Sequence, residues 1–312
     1  MFLSIVVPCY NEQDNVKPFF KATTEALRDF TDDYEIVFVN DGSSDNTYKE
    51  LNDIYNENND FIKVVNFSRN FGKEAALLAG LENTTGEYVA IIDADLQQNP
   101  NYIKDMYNIL KENPEFDSVA AYQDLRNEGK VLSKFKDCFY SLINKLTEIK
   151  LFRSASDFRL LKRVMVDAII ALPEKSRFSK GIFSWVGFNT YYMPYTVQER
   201  NSGTSKWSFW KLTRYAIDGI VTFSNRPLLF AVIMGVIMGF VSFALYITAL
   251  IAFFGFGASV GLTVIIATIF LVSSIQMIAL GVLSEYFSKM YTEVKNRPMY
   301  IIKNKLEKED NK

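Results

Sequence analysis

Tyr88-Val89-Ala90-Ile91-Ile92-Asp93-Ala94-Asp95-Leu96-Gln97-Gln98-Asn99-Pro100 is an apolar run that stops abruptly in two carboxylates one residue apart. Val89 to Ile92 has no polar face, which predicts an interior strand of a parallel sheet, covered on both sides. Asp93 and Asp95 then fall at the strand's carboxyl end, where open α/β sheets bind their ligands. Two clustered acids repel each other unless a positive charge lies between them. A divalent cation meets that need, and an all-oxygen set of Asp93, Asp95 and the Gln97 amide suits Mg2+ or Mn2+. The competing reading is a solvated turn with Asp95 or Asn99 as the cap of the next helix.

Apolar runs at 3–7, 34–39 and 62–66 precede this one and alternate with segments of helical period near 15–30, 45–58 and 73–82. The pattern is βαβαβαβ, an α/β fold with a mostly parallel sheet and helices on both faces. A fifth strand is expected around 117–122, followed by a polar loop at 123–130 that is placed to close over a ligand. Each strand ends in polar residues: Pro8-Cys9-Tyr10-Asn11-Glu12, then Asn40-Asp41-Gly42-Ser43-Ser44-Asp45, then Ser68-Arg69-Asn70-Phe71-Gly72-Lys73, then the paired acids. Such convergence describes a cleft for a polar ligand. Neither the glycine-rich dinucleotide fingerprint nor the phosphate-binding lysine loop is present, so a metal clamp on a diphosphate remains.

Composition narrows the chemistry. The 312 residues carry a net charge of −2 and no histidine, which removes the commonest general base, His-ligated zinc and a global basic field for nucleic acid. Two cysteines are too few for a disulfide framework and fit a reducing compartment. From Pro227 through Ser284 there is no Asp, Glu, Lys or Arg. That length accommodates two membrane helices, expected near 228–253 and 262–284 with a turn at 255–261, since each crossing of a ~30 Å hydrocarbon core takes roughly 20 residues. Lys and Arg flank the pair on both outer sides while the turn is uncharged, which predicts a multi-pass plasma-membrane protein with both termini cytoplasmic. Before the spans, Trp207, Trp210 and Tyr215 mixed with Lys206, Lys211 and Arg214 predict an interfacial amphipathic helix within 201–226. Residues 289–312 read as a cytoplasmic tail that frays from Lys303. Gly235 and Gly239 stand at the GxxxG spacing of helix pairs, which allows a homo-oligomer.

Ser4-Ile-Val-Val-Pro-Cys-Tyr-Asn-Glu12, Val39-Asn-Asp-Gly-Ser-Ser-Asp-Asn-Thr47, Asn70-Phe-Gly-Lys73, Asp93-Ala-Asp-Leu-Gln97, Asp157-Phe-Arg-Leu160 and Gln198-Glu-Arg-Asn-Ser-Gly-Thr-Ser-Lys-Trp207 come in that order. Together with the membrane pair, this succession resembles family 2 glycosyltransferases of the GT-A, Rossmann-like fold. It is similar to the polyprenyl-phosphate branch, which includes dolichyl-phosphate mannose synthases and bacterial undecaprenyl-phosphate glucosyl- and N-acetylglucosaminyltransferases. The resemblance implies a GT-A domain over 1–200 and inverting transfer of a hexose, glucose or N-acetylglucosamine, from a UDP-sugar to undecaprenyl phosphate at the cytoplasmic face of the bilayer. It also implies roles. Pro8, Tyr10, Glu12, Asp41, Lys73, Asp93 and Arg126 would hold the nucleotide-sugar, with Asp93, Asp95 and Gln97 on Mg2+ or Mn2+. Asp157 would act with the acid pair, as base or as orienting partner of Arg159. Arg159, Arg200, Ser205 and Lys206 would meet the lipid phosphate. Alternatives are a mannosyltransferase using GDP-mannose, a processive polysaccharide synthase and a non-catalytic membrane scaffold. The synthase family expects Gln-x-x-Arg-Trp, from which Gln198-Glu-Arg-Asn-Ser departs.

Overall fold

The computed structural model describes residues 1–123, 152, 155–196 and 262–308, together with isolated helical positions between 233 and 254. Arg126, Arg200, Ser205, Lys206 and the expected interfacial segment at 201–226 lie outside the described residues. The first half of the chain alternates as its periodicity requires: β1 (Leu3–Cys9), α1 (Val16–Leu27), β2 (Tyr34–Asn40), α2 (Thr47–Glu57), β3 (Ile62–Phe67), α3 (Lys73–Glu82), β4 (Tyr88–Ile91), α4 (Tyr102–Glu112) and β5 (Ser118–Gln123). Then follow β6 (Ala155–Lys162), α5 (Arg163–Ile170), α6 (Ser179–Trp185), β7 (Thr190–Tyr195), α7 (Leu262–Lys295) and β8 (Ile302–Leu306) among the described residues.

The eight strands among the described residues form one sheet in the order β7-β5-β6-β4-β1-β2-β3-β8. The β4-β1-β2-β3 core is parallel, while β6 runs antiparallel to both β4 and β5, and β8 antiparallel to β3. The strands of the core are apolar without alternation because both faces are covered. On β1, Ile5 and Val7 pack with Phe19 of α1, Leu51 of α2 and Met106 of α4, whereas Val6 between them packs with Leu77 of α3 and Met165 of α5. The α3 face is lined by Ala75, Ala76 and Ala79, which lets the helix approach Val37, Val39 and Val65. At Gly80 the approach is closest, since a Cβ there would lie 2.2 Å from Val6 Cγ1.

Two features differ from expectation. The second apolar helix does not stop at 284 but runs 34 residues from Leu262 to Lys295, roughly 51 Å at 1.5 Å per residue. Nothing between Glu285 and Lys295 breaks a helix, and the stop comes only at Asn296, in the left-handed region at φ 47°, followed by Pro298. Leu271–Lys295 is long and apolar enough to cross a membrane, and its apolar side chains stand open, Met277 at 69 % exposure and Ile278 at 65 %. The expected fraying of the tail from Lys303 is overturned. Residues 302–306 form β8 on the open edge of β3, where Leu306 joins the core and the outward Lys303 and Lys305 leave a charged rim.

At the amino-terminal edge of the sheet, Glu35 is 1 % exposed and ties four segments together. It accepts from Ser4 Oγ at 2.6 Å, from Thr85 N at 2.6 Å and Thr85 Oγ1 at 2.9 Å, and pairs with Lys63 Nζ at 2.7 Å. Burial alone would raise its pKa, but Lys63 and these donors hold it below the usual carboxylate value. A depressed folded-state pKa contributes stability above the unfolded value, about 4.3, and that contribution fades as pH falls through the lower folded value. Glu35→Gln is therefore expected to cost about 2 kcal/mol at pH 7, the Lys63 end being partly solvated. Urea denaturation of the detergent-solubilised protein should show this loss at pH 7 and a smaller difference from the parent below pH 4.

Candidate active site

The carboxyl edge of the sheet is knit from loop to loop. Asn11, at φ 55° after β1, donates its N–H to Ser43 Oγ at 3.0 Å, and its side-chain oxygen accepts from Ser44 N at 2.9 Å. Glu12 N donates to Thr47 Oγ1 at 2.8 Å, while its carboxylate accepts from Asn15 Nδ2 at 2.6 Å. Asp41, 3 % exposed, receives Phe71 N at 2.6 Å on one oxygen and Gly72 N at 2.9 Å and Asn70 Nδ2 at 3.0 Å on the other. Burial leaves its pKa above the usual value despite these donors. The turn residue Gly42 lies at φ 60° against the β3–α3 loop, where a Cβ would meet the Arg69 carbonyl carbon at 2.2 Å. Pro8 is the penultimate residue of β1, and Tyr10 beside it is 41 % exposed.

Extending the β4–β6 register by two residues from Ile91↔Arg159 places Asp93 opposite Asp157. An antiparallel strand brings its beginning to the edge where its neighbour ends. Between the two carboxylates stands the Lys73 ammonium, 2.8 Å from Asp93 Oδ1 and 2.8 Å from Asp157 Oδ2. The expected positive charge is thus partly supplied by the chain itself. Burial would raise Asp157, but Lys73, Lys180 and Arg159 hold it far below the usual carboxylate range. Burial would lower Lys73, and Asp157 and Asp93 hold it above its ordinary value. Lys73 keeps 43 % of its side chain exposed, so water screens these pairs.

Asp95 lies two residues on, its Oδ1 accepting from Gln97 N at 3.2 Å in a turn that Leu96 completes at φ 59°. Among the described residues no three acidic, histidine or cysteine side chains converge to cage a metal. Two carboxylates at one strand end, completed by ligand oxygens and water, nonetheless form the hard-oxygen set that Mg2+ and Mn2+ take, so the donor chemistry fits. Gln98 rather than Gln97 braces the acids: 6 % exposed, it accepts from Asp93 N at 3.1 Å and donates to Ser156 Oγ at 3.3 Å. The sequence reading missed Gln98, whose only signal was its place beside Gln97 in a turn.

Arg159 is 4 % exposed, with its guanidinium 3.7 Å over the Phe183 ring and its Nη2 donating to Ser156 O at 3.1 Å. Burial lowers its pKa to about 10. Such an enclosed cation supports Asp157 from within the fold. Three further groups were not legible in sequence. Lys180 of α6 adds positive potential at Asp157. Tyr195 of β7 lies close enough to Asp93, Asp95 and Asp157 to feel their charge, and burial raises its phenol above the ordinary value. Glu74, beside Lys73, accepts from Ser179 N at 2.8 Å and from the Ser179 hydroxyl, and burial pushes its carboxyl up to about 7.

Comparison with known proteins adds to this geometry. The family described as Glycosyl transferase family 2 matches residues 4–170. The uncharacterized glycosyltransferase sll0501 of Synechocystis is 40 % identical over 302 residues, 96 % of this chain and 94 % of that protein. The bactoprenol glucosyl transferase of Shigella phage SfV is 38 % identical over 310 residues, 99 % of this chain and 100 % of that protein. Among solved structures, glucosyl-3-phosphoglycerate synthase of Mycobacterium tuberculosis with Mn2+ and uridine-diphosphate-glucose is similar at a TM-score of 0.46 and 17 % identity, covering 71 % of this chain and 77 % of that one.

Because Gly42 meets backbone atoms at a positive φ, Gly42→Ala is expected to push the β3–α3 loop off Asp41 and to destabilise the protein by about 1–3 kcal/mol. Chemical denaturation should show a lower midpoint, and amide hydrogen exchange should be faster at Phe71 and Gly72 than in the parent.

Proposed function

The chain belongs to the family 2 glycosyltransferases, and from that premise we propose that it transfers a hexose, glucose first among candidates, from a UDP-sugar to undecaprenyl phosphate. The glycosyl transfer and the polyprenyl-phosphate acceptor class follow from full-length relatives such as the phage bactoprenol glucosyl transferase. The observation that carries the site assignment is the Asp93–Lys73–Asp157 constellation at the carboxyl edge of the sheet, one turn from Asp95. The chemistry is an in-line displacement. An acceptor phosphate oxygen forms a bond to the anomeric carbon, the bond from that carbon to the diphosphate oxygen breaks, and its electron pair leaves with UDP, inverting the centre.

A lipid phosphate is already anionic near pH 7, so the protein has to orient and neutralise more than to deprotonate. Asp157 suits that task, because a carboxylate held far below its ordinary pKa and paired with Lys73 is a poor proton acceptor. Its role is to fix Lys73 and the acceptor's approach. Asp93 and Asp95 would hold Mg2+ or Mn2+, which supplies positive charge against the developing charge on the departing diphosphate. Pro8, Tyr10 and Glu12 frame the nucleotide's place, while Asp41, engaged by Phe71 and Gly72, shapes it by holding the β3–α3 loop.

A two-span membrane topology with the catalytic domain and both flanks on one face agrees with chain connectivity, and the Lys and Arg outside the apolar region favour the cytoplasmic face. The β8 strand that follows α7 pairs with β3 of the catalytic sheet, so the chain must return to the side it left. With α7 as one crossing, the helical positions between 233 and 254 supply the segment for the other. Lys206 and Arg200, close before the apolar region in sequence, remain the candidates for the lipid phosphate together with Ser205.

In detergent micelles supplied with undecaprenyl phosphate, labelled UDP-glucose should give UDP and a lipid-linked sugar. Asp95→Asn is expected to reduce turnover by about 100-fold or more, as loss of a group stabilising departing charge does, while the folding midpoint stays near the parent's. Chelation by EDTA should silence the parent and Mg2+ or Mn2+ should restore it. Full activity of Asp95→Asn would remove the metal clamp, and labelled GDP-mannose consumed in place of every UDP-sugar would replace the donor.

A further inference from the structure

The strand that follows the membrane helix reaches the donor side of the cleft through a line of side-chain amides. Asn304 of β8 accepts on Oδ1 from Asn66 Nδ2 at 2.7 Å. Asn66 on β3 accepts in turn from Asn40 Nδ2 of β2 at 2.8 Å. Asn40 Oδ1 receives Ser43 Oγ at 2.6 Å and Ser43 N at 3.3 Å, and Ser43 Oγ receives the backbone N–H of Asn11 at 3.0 Å. Asn11 lies between Tyr10 and Glu12, and Ser43 follows Asp41 and Gly42, so the line ends among the residues assigned to the nucleotide.

The line has a polarity. An amide presents an acceptor at one end and donors at the other, so each asparagine's orientation is set by its neighbour. Asn40 and Asn66 are 2 % and 6 % exposed, which makes an unmatched donor or acceptor between them costly. Asn304 is the outer end and supplies the acceptor that fixes Asn66, while its own Nδ2 donates to the Tyr48 hydroxyl of α2. With that acceptor gone, Asn66 Nδ2 is buried without a partner. Turning the Asn66 amide over would then set nitrogen against nitrogen at Asn40 and loosen Ser43. The same edge is propped by the backbone, as Ser68 N donates to Ile301 O at 2.9 Å and Tyr300 stacks on Phe67 at 4.8 Å.

We propose that Asn304 is a positioning residue for the nucleotide site, setting the Ser43–Asn11 turn contact through Asn66 and Asn40, so that the segment after the membrane helix completes the donor side of the cleft. This inference rests on the UDP-sugar reading above and deepens it. Affinity for the nucleotide, not attack by the lipid, is the quantity the amide line controls.

The test is UDP binding to the full-length protein in detergent with MgCl2, measured by calorimetry, beside steady-state kinetics for donor and lipid acceptor. Asn304→Leu removes the acceptor and is expected to raise the UDP Kd by roughly three- to tenfold, the worth of one buried hydrogen bond. The donor KM should rise with it, while kcat and the acceptor KM stay at the parent's values. Asn304→Asp keeps an oxygen facing Asn66 and should bind UDP within about twofold of the parent. If Asn304→Leu does not purify as folded protein, Asn304→Ser, too short to reach Asn66, takes its place with the same expectation. Unchanged UDP affinity in the Leu or Ser variant, or an equal loss in the Asp variant, overturns the inference while leaving the donor reading intact. Absence of UDP binding by the parent overturns the donor reading itself, and the inference with it.

Discussion

A carboxylate enclosed at a sheet edge is stable only beside a cation, and here two carboxylates from strands of opposite direction share one. Lys73 stands 2.8 Å from each of Asp93 and Asp157, and much of the fold's layout can be read as the means of bringing those three together. The parallel core delivers Asp93 at the end of β4 and Lys73 at the first residue of α3. An all-parallel sheet would have delivered Asp157 at the opposite edge. Inserting β6 antiparallel between β4 and β5 brings its second and third residues, Ser156 and Asp157, back to the active edge, where Ser156 also takes the Gln98 amide.

The first turn of α3 works in two directions. Lys73 faces the acids, while Glu74 beside it is buried and grips the start of α6 through Ser179. That helix carries Lys180, whose charge helps hold Asp157 ionised, and Phe183, which lies under the Arg159 guanidinium. A shift of the β3–α3 loop therefore moves the cation between the carboxylates and the helix behind them as one body. The loop itself is fixed by Asp41, whose two oxygens take the N–H groups just ahead of the helix. An acid that sequence reading assigns to the nucleotide thus also acts as a clamp on the loop that carries Lys73.

Much of this was legible from the residues alone. Apolar runs without alternation announced the buried parallel strands, and polar clusters after each run announced a common edge, because both signals are local and periodic. Lys73 was assigned to the nucleotide-sugar beside Asp93, yet its place as the bridge to Asp157 was not foreseen, since that bridge depends on the direction of β6 and no spacing encodes it. Gln98, Glu74 and Tyr195 were missed for the same reason: each is chemically ordinary until a distant segment packs on it. The exposed tail expected from Lys303 failed differently. Its composition is polar enough to fray in isolation, and only the open edge of β3, with Asn66 requiring an acceptor and Phe67 offering a ring to Tyr300, gives it a partner.

That docking changes what the long helix does. Glu293 comes nine residues after Ser284, the last residue of the uncharged stretch, which is roughly 13 Å of helix beyond the apolar part. At that height the Glu293 carboxylate accepts from Lys175 N at 2.9 Å and Ser176 N at 2.9 Å, and Lys289 Nζ reaches Ser176 Oγ at 3.0 Å. Four residues after the turn at Asn296, Tyr300 stacks on Phe67. Two separate attachments on either side of one turn leave the helix little freedom to rock against the sheet. In the proposed transfer a lipid phosphate would have only the headgroup depth in which to meet a water-soluble donor, so the distance from apolar span to carboxyl edge would be a condition of that reaction. Fixing that distance with β8 would then tie the height of the site above the bilayer to the edge of the sheet assigned to the nucleotide.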